Sequence, residues 1–219
     1  MTTTRFCIFD MDGVLIDSGV HHRNAWQALL EELEVTPEEP EYWRLTIGRP
    51  AEEAVPLLLG RPVKAWEARN LALRKRELYA GFARRGTQPV VGVPAFVDSL
   101  SRQGVPRGVG TSASRWDVDT LLVGLGLRRH FDVIVTAEDV TQGKPDPAVY
   151  LEVARQLRAD PAQCLVFEDS LVGVEAARRA GMRAVGVTTA HTAAELEAAG
   201  AESAIRNFEG LDWNSLARR

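Results

Sequence analysis

Two carboxylates, Asp10 and Asp12, stand at the end of the apolar run Phe6-Cys7-Ile8-Phe9, inside the stretch FDMDGVLIDS. Residues two apart on an extended chain point the same way, so both acids are expected to face one small site. Gly13 supplies the sharp turn that would open this site beyond the strand. Like charges held so close repel unless a cation or a shared proton relieves them. The pair therefore suits a nucleophile working with an acid/base group, beside a hard ion such as magnesium that takes oxygen ligands. An isolated D-x-D is more often a turn former; the FDMDGV setting favours the chemical role.

Three more groups carry residue types that fit the same chemistry. In GTSASR, residues 110–115, an expected strand runs into a helix, and Thr111 or Ser112 can offer a hydroxyl. The free amides of the helix start, at Ala113, suit an anionic oxygen. Serine and threonine are also ordinary helix caps, so this motif means little alone. Arg115 lies one step further out, where contact with a substrate and a solvent-facing role weigh equally. In QGKPDP, Lys144 is fixed between Gly143 and Pro145, and an ammonium there can neutralise both a carboxylate nucleophile and a transferring phosphoryl group. In FEDS, Asp169 is expected to ligate magnesium, and Glu168 is either a second ligand or a partner behind it. The competing role for Asp169 or Ser170 is to cap the next helix.

These groups must be positioned by strand ends. Apolar runs at Phe6–Phe9, Pro106–Gly110, Asp132–Thr136, Cys164–Phe167, Ala184–Val187 and Ser203–Arg206 alternate with helical patterns after residue 88, as in a parallel sheet with crossover helices. Val118, Leu121, Leu122 and Leu125 form one helical face closed by Gly126, and Gly181 follows an alanine-rich helix as a C-terminal stop. The expected fold is α/β, a doubly wound, Rossmann-like parallel sheet, and such sheets bind ligands beyond the carboxyl ends of their strands. Residues 17–87 break the alternation. Trp26, Leu29, Leu30 and Leu33 recur at helical spacing, a second helix is expected from about Pro50, and a charged third from Lys64 to Ala83. The chain thus divides into a catalytic core, residues 1–16 and 88–219, and an inserted all-helical cap, residues 17–87.

The four motifs, in this order and spacing, resemble the haloacid dehalogenase superfamily. FDMDGVLIDS is similar in particular to its β-phosphoglucomutase-like branch, which carries a helical cap after the first motif. The resemblance implies Asp10 as nucleophile, and Asp12 as general acid/base whose backbone carbonyl binds magnesium. It places Ser112 and Lys144 on the transferring phosphate and Asp169 on the metal. The implied activity is magnesium-dependent hydrolysis of a small phosphorylated metabolite through an aspartyl-phosphate. A sugar-phosphate mutase is the alternative. His22 matches a histidine common near the hinge of this branch, although a lone helical histidine is more often a packing residue. Arg49, in TIGRP, can reach an anionic substrate group. Mutases of the branch carry an arginine slightly further on, where this chain has Ala51, and the residue after Arg115 is Trp116 rather than small and polar; both departures favour hydrolysis. A dehalogenase would not need Asp12 or the acidic pair at 168 and 169. A receiver domain would not need the insertion.

Composition agrees with small-molecule chemistry. The 219 residues are 45% hydrophobic, enough for a packed core, and the net charge of −4 offers no electrostatic footprint for nucleic acid. No apolar run reaches membrane-spanning length, and the N-terminus lacks a leader pattern. Cys7 and Cys164 lie in strand patterns and read as reduced core residues. The expectation is a cytoplasmic monomer acting on a dissolved substrate.

Overall fold

The computed structural model describes residues 4–37, 41–83 and 86–218. The first three residues, on which the reading of the N-terminus partly rests, lie outside this set. Six strands form one parallel sheet: β1 (Phe6–Phe9), β2 (Arg107–Gly110), β3 (Val133–Val135), β4 (Cys164–Glu168), β5 (Arg183–Val187) and β6 (Ser203–Ile205). Their spatial order is β3-β2-β1-β4-β5-β6. Every neighbouring pair is parallel, with Ile8 opposite both Gly108 and Val166. The chain winds outward in one direction from β1 to β3 and in the other from β4 to β6. A crevice therefore opens beyond the carboxyl ends of β1 and β4, where the winding reverses.

Alternation along the strands divides the core into two layers. Cys7, Phe9, Leu165, Phe167, Val185 and Val187 face one side, packed by α4 (Val93–Arg102), α5 (Arg115–Gly124) and α9 (Trp213–Ala217). Ile8, Cys164, Val166 and Ala184 face the other, covered by α6 (Ala148–Leu157), α7 (Leu171–Arg179) and α8 (Ala193–Ala199). Phe9 lies stacked on Phe167 at 5.2 Å between ring centres and edge-on to Phe96 and Phe131. Such rings exclude water from the layer directly beneath the crevice. Both cysteines are buried and unbridged, and burial pushes their thiols up.

Between β1 and α4 lie α1 (Gly19–Glu32), a short 3₁₀ turn at Tyr42–Thr46, α2 (Ala51–Leu59) and α3 (Ala65–Ala83). Pro50, whose ring cannot donate, directly precedes α2. These helices share a separate small core of Trp26, Leu29, Ala54, Val55 and Leu58. Leu33, expected on the same face, is instead the helix-ending residue and is 38% exposed. The chain enters and leaves this unit side by side: Asp17 N–H donates to Gln88 O at 2.8 Å and Val90 N–H to Leu15 O at 3.1 Å. The unit also touches the sheet domain directly. Arg44 bonds Glu195 at 2.7 Å, and Ser112 Oγ donates to Gly48 O at 2.9 Å. Among the described residues no helix is long and apolar enough to cross a membrane.

Candidate active site

The crevice between sheet and helical unit is a cavity of about 840 Å³. Asp10, Asp12, Thr111, Ser112, Ala113, Lys144 and Asp169 line it from the sheet side, and His22 and Arg49 from the other. Residues separated by more than 150 positions thus meet because each follows a strand end or opens a helix beside one.

Asp10 is one residue past β1 and 4% exposed. Lys144 Nζ donates to Asp10 Oδ1 at 2.8 Å and to Glu168 Oε1 at 2.7 Å. Burial pushes Asp10 up to about 7, against the opposing pull of Lys144. Burial alone would lower Lys144, but the two carboxylates outweigh it and hold the ammonium protonated. Glu168, fully buried, spends all its lone pairs: Oε1 also accepts from Tyr150 Oη at 2.7 Å, and Oε2 from the Ser170 N–H and hydroxyl at 2.9 Å. It does not line the cavity. Its carboxylate anchors Lys144 from below, and these donors overcome burial and keep it ionised.

Asp169 completes the cluster. Thr189 Oγ1 donates to Gly13 O at 2.7 Å and lies 3.1 Å from Asp169 Oδ2, while His191 Nδ1 meets the Asp169 carbonyl at 2.9 Å. Burial, then Glu168 and Asp10, raise Asp169 well above the usual carboxylate range. Asp10, Glu168 and Asp169 each offer an oxygen within 4.8 Å of the others. With Glu168 occupied by its four donors, the open oxygens of Asp10 and Asp169 form a hard, all-oxygen donor pair, and the three carboxylates around a single ammonium leave negative charge over, which fits a divalent cation.

Asp12 lines the same cavity as Asp10, as expected, but its carboxylate has different partners. The chain turns at Gly13, φ +73°, and the Asp12 carboxylate faces α1 instead. Its Oδ1 accepts from Ser18 Oγ at 2.5 Å and meets His22 Nε2 at 2.9 Å. Its side chain is therefore outside the cluster of Asp10, Glu168 and Asp169. Lys75 Nζ sits 2.6 Å from His22 Nδ1. An ammonium can only donate, so Nδ1 accepts and Nε2–H points at Asp12. Burial raises Asp12, but His22, Ser18 and Lys75 together bring it below the usual range. Lys75 itself is pushed by burial down to about 8. Asp12 and His22 keep 26% and 30% of their side chains open, so both remain within reach of a bound molecule.

The remaining expectations divide. Thr111 is committed internally, its Oγ1 accepting the Ala113 N–H at 3.0 Å, so the Ala113 amide is not free either. Arg49 lines the cavity, but Arg115 does not: as the first residue of α5 its guanidinium turns outward to Asp139. Trp43 lines the cavity beneath Arg23, whereas Trp66 is 63% exposed. Ser18, Lys75, Tyr79, Tyr150 and Thr189 are further site residues. A signal for two of them exists, since Lys75 and Tyr79 fall in phase with Ala68 on the buried face of α3. That phase put a lysine where a core residue belongs.

Gly173 tests the support beneath Lys144. A Cβ there would lie 1.7 Å from Glu168 Oε1, whereas one on Gly124 meets nothing within 4 Å. Gly173→Ala should therefore destabilise the fold by about 3 kcal/mol, through overpacking and disruption of a buried ion pair. Gly124→Ala should cost nothing. Urea midpoints for the two variants, at unchanged slope, measure the contrast.

Comparison with known proteins decides the family. A family model described as haloacid dehalogenase-like hydrolase matches residues 7–187. The chain belongs to that family. It is 34% identical over 213 residues to validoxylamine A 7'-phosphate phosphatase of Streptomyces hygroscopicus subsp. limoneus, covering 95% of this chain and 96% of that one. It is 30% identical over 187 residues to the β-phosphoglucomutase of Bacillus subtilis (strain 168), covering 82% and 81%. A solved haloacid dehalogenase hydrolase from Entamoeba histolytica superposes with a TM-score of 0.88 at 24% identity, over 98% of both chains, a likeness of fold. This haloacid dehalogenase-like chain is a phosphoryl-transfer enzyme, with the doubly wound sheet its sequence led us to expect.

Proposed function

We propose that the protein is a magnesium-dependent phosphatase that hydrolyses a small phosphorylated metabolite through an aspartyl-phosphate on Asp10. The observation that carries this reading is the Asp10 carboxylate at the cavity floor, one oxygen fixed by Lys144 and the acidic cluster beside it. Asp10 and Asp169, with the Asp12 carbonyl, would hold magnesium, and Glu168 would act through Lys144. When bound, the ion supplies positive charge to the oxygens of the transferring phosphoryl group.

The chain's own groups perform the rest. Lys144 offsets charge so that an anionic nucleophile can approach phosphorus, and the Ser112 hydroxyl would exchange Gly48 O for a phosphate oxygen. The Asp10 oxygen attacks, the ester O–P bond breaks, and Asp12 gives a proton to the departing alkoxide. The negative charge of an incoming phosphate raises the affinity of Asp12 for that proton. Asp12 then takes a proton from water as the water attacks the phosphoryl group, releasing Asp10 and inorganic phosphate. His22, ordered by Lys75, keeps the Asp12 carboxylate aimed. Residues 17–87 act as the cap that excludes water and contacts the organic part of the substrate. The substrate is a dissolved cytoplasmic molecule, and the protein acts as a monomer.

The mutase differs only in the acceptor, a sugar hydroxyl in place of water. The name of the Streptomyces relative, and the presence of Ala51 and Trp116 where the mutase pattern has other residues, favour hydrolysis. Chelation with EDTA should reduce phosphate release from p-nitrophenyl phosphate to background and added magnesium should restore it. Asp169→Asn should raise the magnesium concentration required by at least about tenfold. Phosphate release that is indifferent to chelation would remove the metal from the account. Isomerisation of glucose 1-phosphate without release of phosphate would make the enzyme a mutase.

A further inference from the structure

No step of phosphoryl transfer uses the loop that follows β5, yet this loop holds Asp169 at two points. Thr189, just past the end of that strand, sets its Oγ1 2.7 Å from Gly13 O and 3.1 Å from Asp169 Oδ2. His191, 8% exposed, has its Nδ1 2.9 Å from the Asp169 carbonyl. A carbonyl can only accept, so Nδ1 carries the hydrogen. Among the described residues no other side chain bonds the Asp169 carboxylate, whereas the adjacent Glu168 has four donors. The loop is itself braced. Thr188 N–H donates to Ile205 O and Thr189 N–H to Val187 O, both at 2.9 Å. Thr192 forms a capping box with Glu195 at the start of α8, and Glu195 also receives Arg44 from the cap at 2.7 Å.

Thr189 reaches beyond its own neighbour in the sheet. β5 pairs with β4 and β4 with β1, so its hydroxyl crosses the end of β4 to meet the turn after β1. Gly13 packs so closely there that a Cβ would lie 1.9 Å from Asp169 Oδ2. A hydroxyl has one hydrogen, while Gly13 O and an ionised Asp169 can only accept, so the two share it in a three-centre bond. A carboxylate whose direction is fixed before an ion arrives loses less freedom on binding it. We propose that Thr189 and His191 are positioning residues that clamp Asp169 in the direction a divalent cation requires, with the Thr189 hydroxyl fixing its distance from the turn that carries the Asp12 carbonyl. This rests on the magnesium reading of Asp10 and Asp169. Both residues act through Asp169 rather than on the reacting atoms.

Manganese(II) titration, with the free ion measured by electron paramagnetic resonance, reads the affinity of the site without turnover. Wild type should bind one ion, and magnesium should displace it. Thr189→Val, which keeps the shape and removes the hydroxyl, and His191→Leu should each weaken binding by about tenfold. Thr189→Ser, which restores the hydroxyl, should bind within about threefold of wild type. If the valine variant does not fold, Thr189→Ala carries the same expectation. Urea midpoints of the metal-free proteins identify a merely structural role, which would lower the midpoint and leave manganese affinity alone. Unchanged affinity in Thr189→Val or in His191→Leu, or a serine variant as weak as the valine one, would overturn the clamp and leave the magnesium reading standing. A wild type that binds no ion would end both.

Discussion

Asp10→Asn should lower kcat for phosphate release by about 10⁴-fold or more, since loss of a covalent nucleophile removes the pathway rather than weakening one contact. The fold should survive, because asparagine keeps the shape and one acceptor for Lys144, and Asp10 packs above the Phe9 layer rather than within it. Substrate binding should persist or tighten as one negative charge leaves the floor of the cavity. The measurement is steady-state phosphate release alongside equilibrium binding of a hydroxylated phosphate ester. Activity within tenfold of wild type would take the nucleophile away from Asp10. Loss of binding together with activity would make Asp10 a structural anchor for Lys144.

The second large effect belongs to Asp12. Asp12→Asn should lower kcat by about 10²- to 10⁴-fold, the usual worth of a placed acid/base group. Its pattern should differ from that of Asp10→Asn. Capture of the phosphoryl group from p-nitrophenyl phosphate needs little proton donation, whereas capture from an alkyl ester and attack by water both need Asp12. A rapid burst of p-nitrophenolate followed by slow turnover is therefore expected, with no burst from an alkyl phosphate. Lys75→Met, acting one step removed through His22, should cut kcat less than Asp12→Asn does. An Asp12→Asn enzyme that loses both ester types equally in the first turnover would contradict the acid/base assignment.

The central strands were readable because β2 and β4 are buried along their whole length and interrupt a helical pattern, whereas β6 at the edge is only half-buried. Their ends were less so. Arg107 and Arg183 begin β2 and β5 although both are charged, since each side chain lies at the amino end of the sheet and finds partners there, Ser101 for one and Glu202 for the other. The motifs at 10, 112, 144 and 169 were readable for a related reason: strand ends in a doubly wound sheet share one crevice. The direction of each side chain was not. Asp12 pairs with Ser18 and His22 rather than with Lys144, and the hydrogen bonds that saturate Glu168 come from Tyr150 and Ser170, contacts that no spacing encodes. Arg115, for which substrate contact and a solvent-facing role weighed equally, turns toward Asp139. Lys75 and Tyr79 were hidden in a charged helix, because what they serve lies more than sixty residues back along the chain, at Asp12.

The central claim is that Asp10 forms a covalent bond to phosphorus. Asp12→Asn, mixed with magnesium and p-nitrophenyl phosphate and quenched in acid within its first turnover, should carry one phosphoryl group on the peptide that contains Asp10. Mass spectrometry should find it, and hydroxylamine should remove it as from an acyl phosphate. A phosphoryl group on any other residue, or phosphate released in the first turnover with the peptide unmodified, would contradict the account.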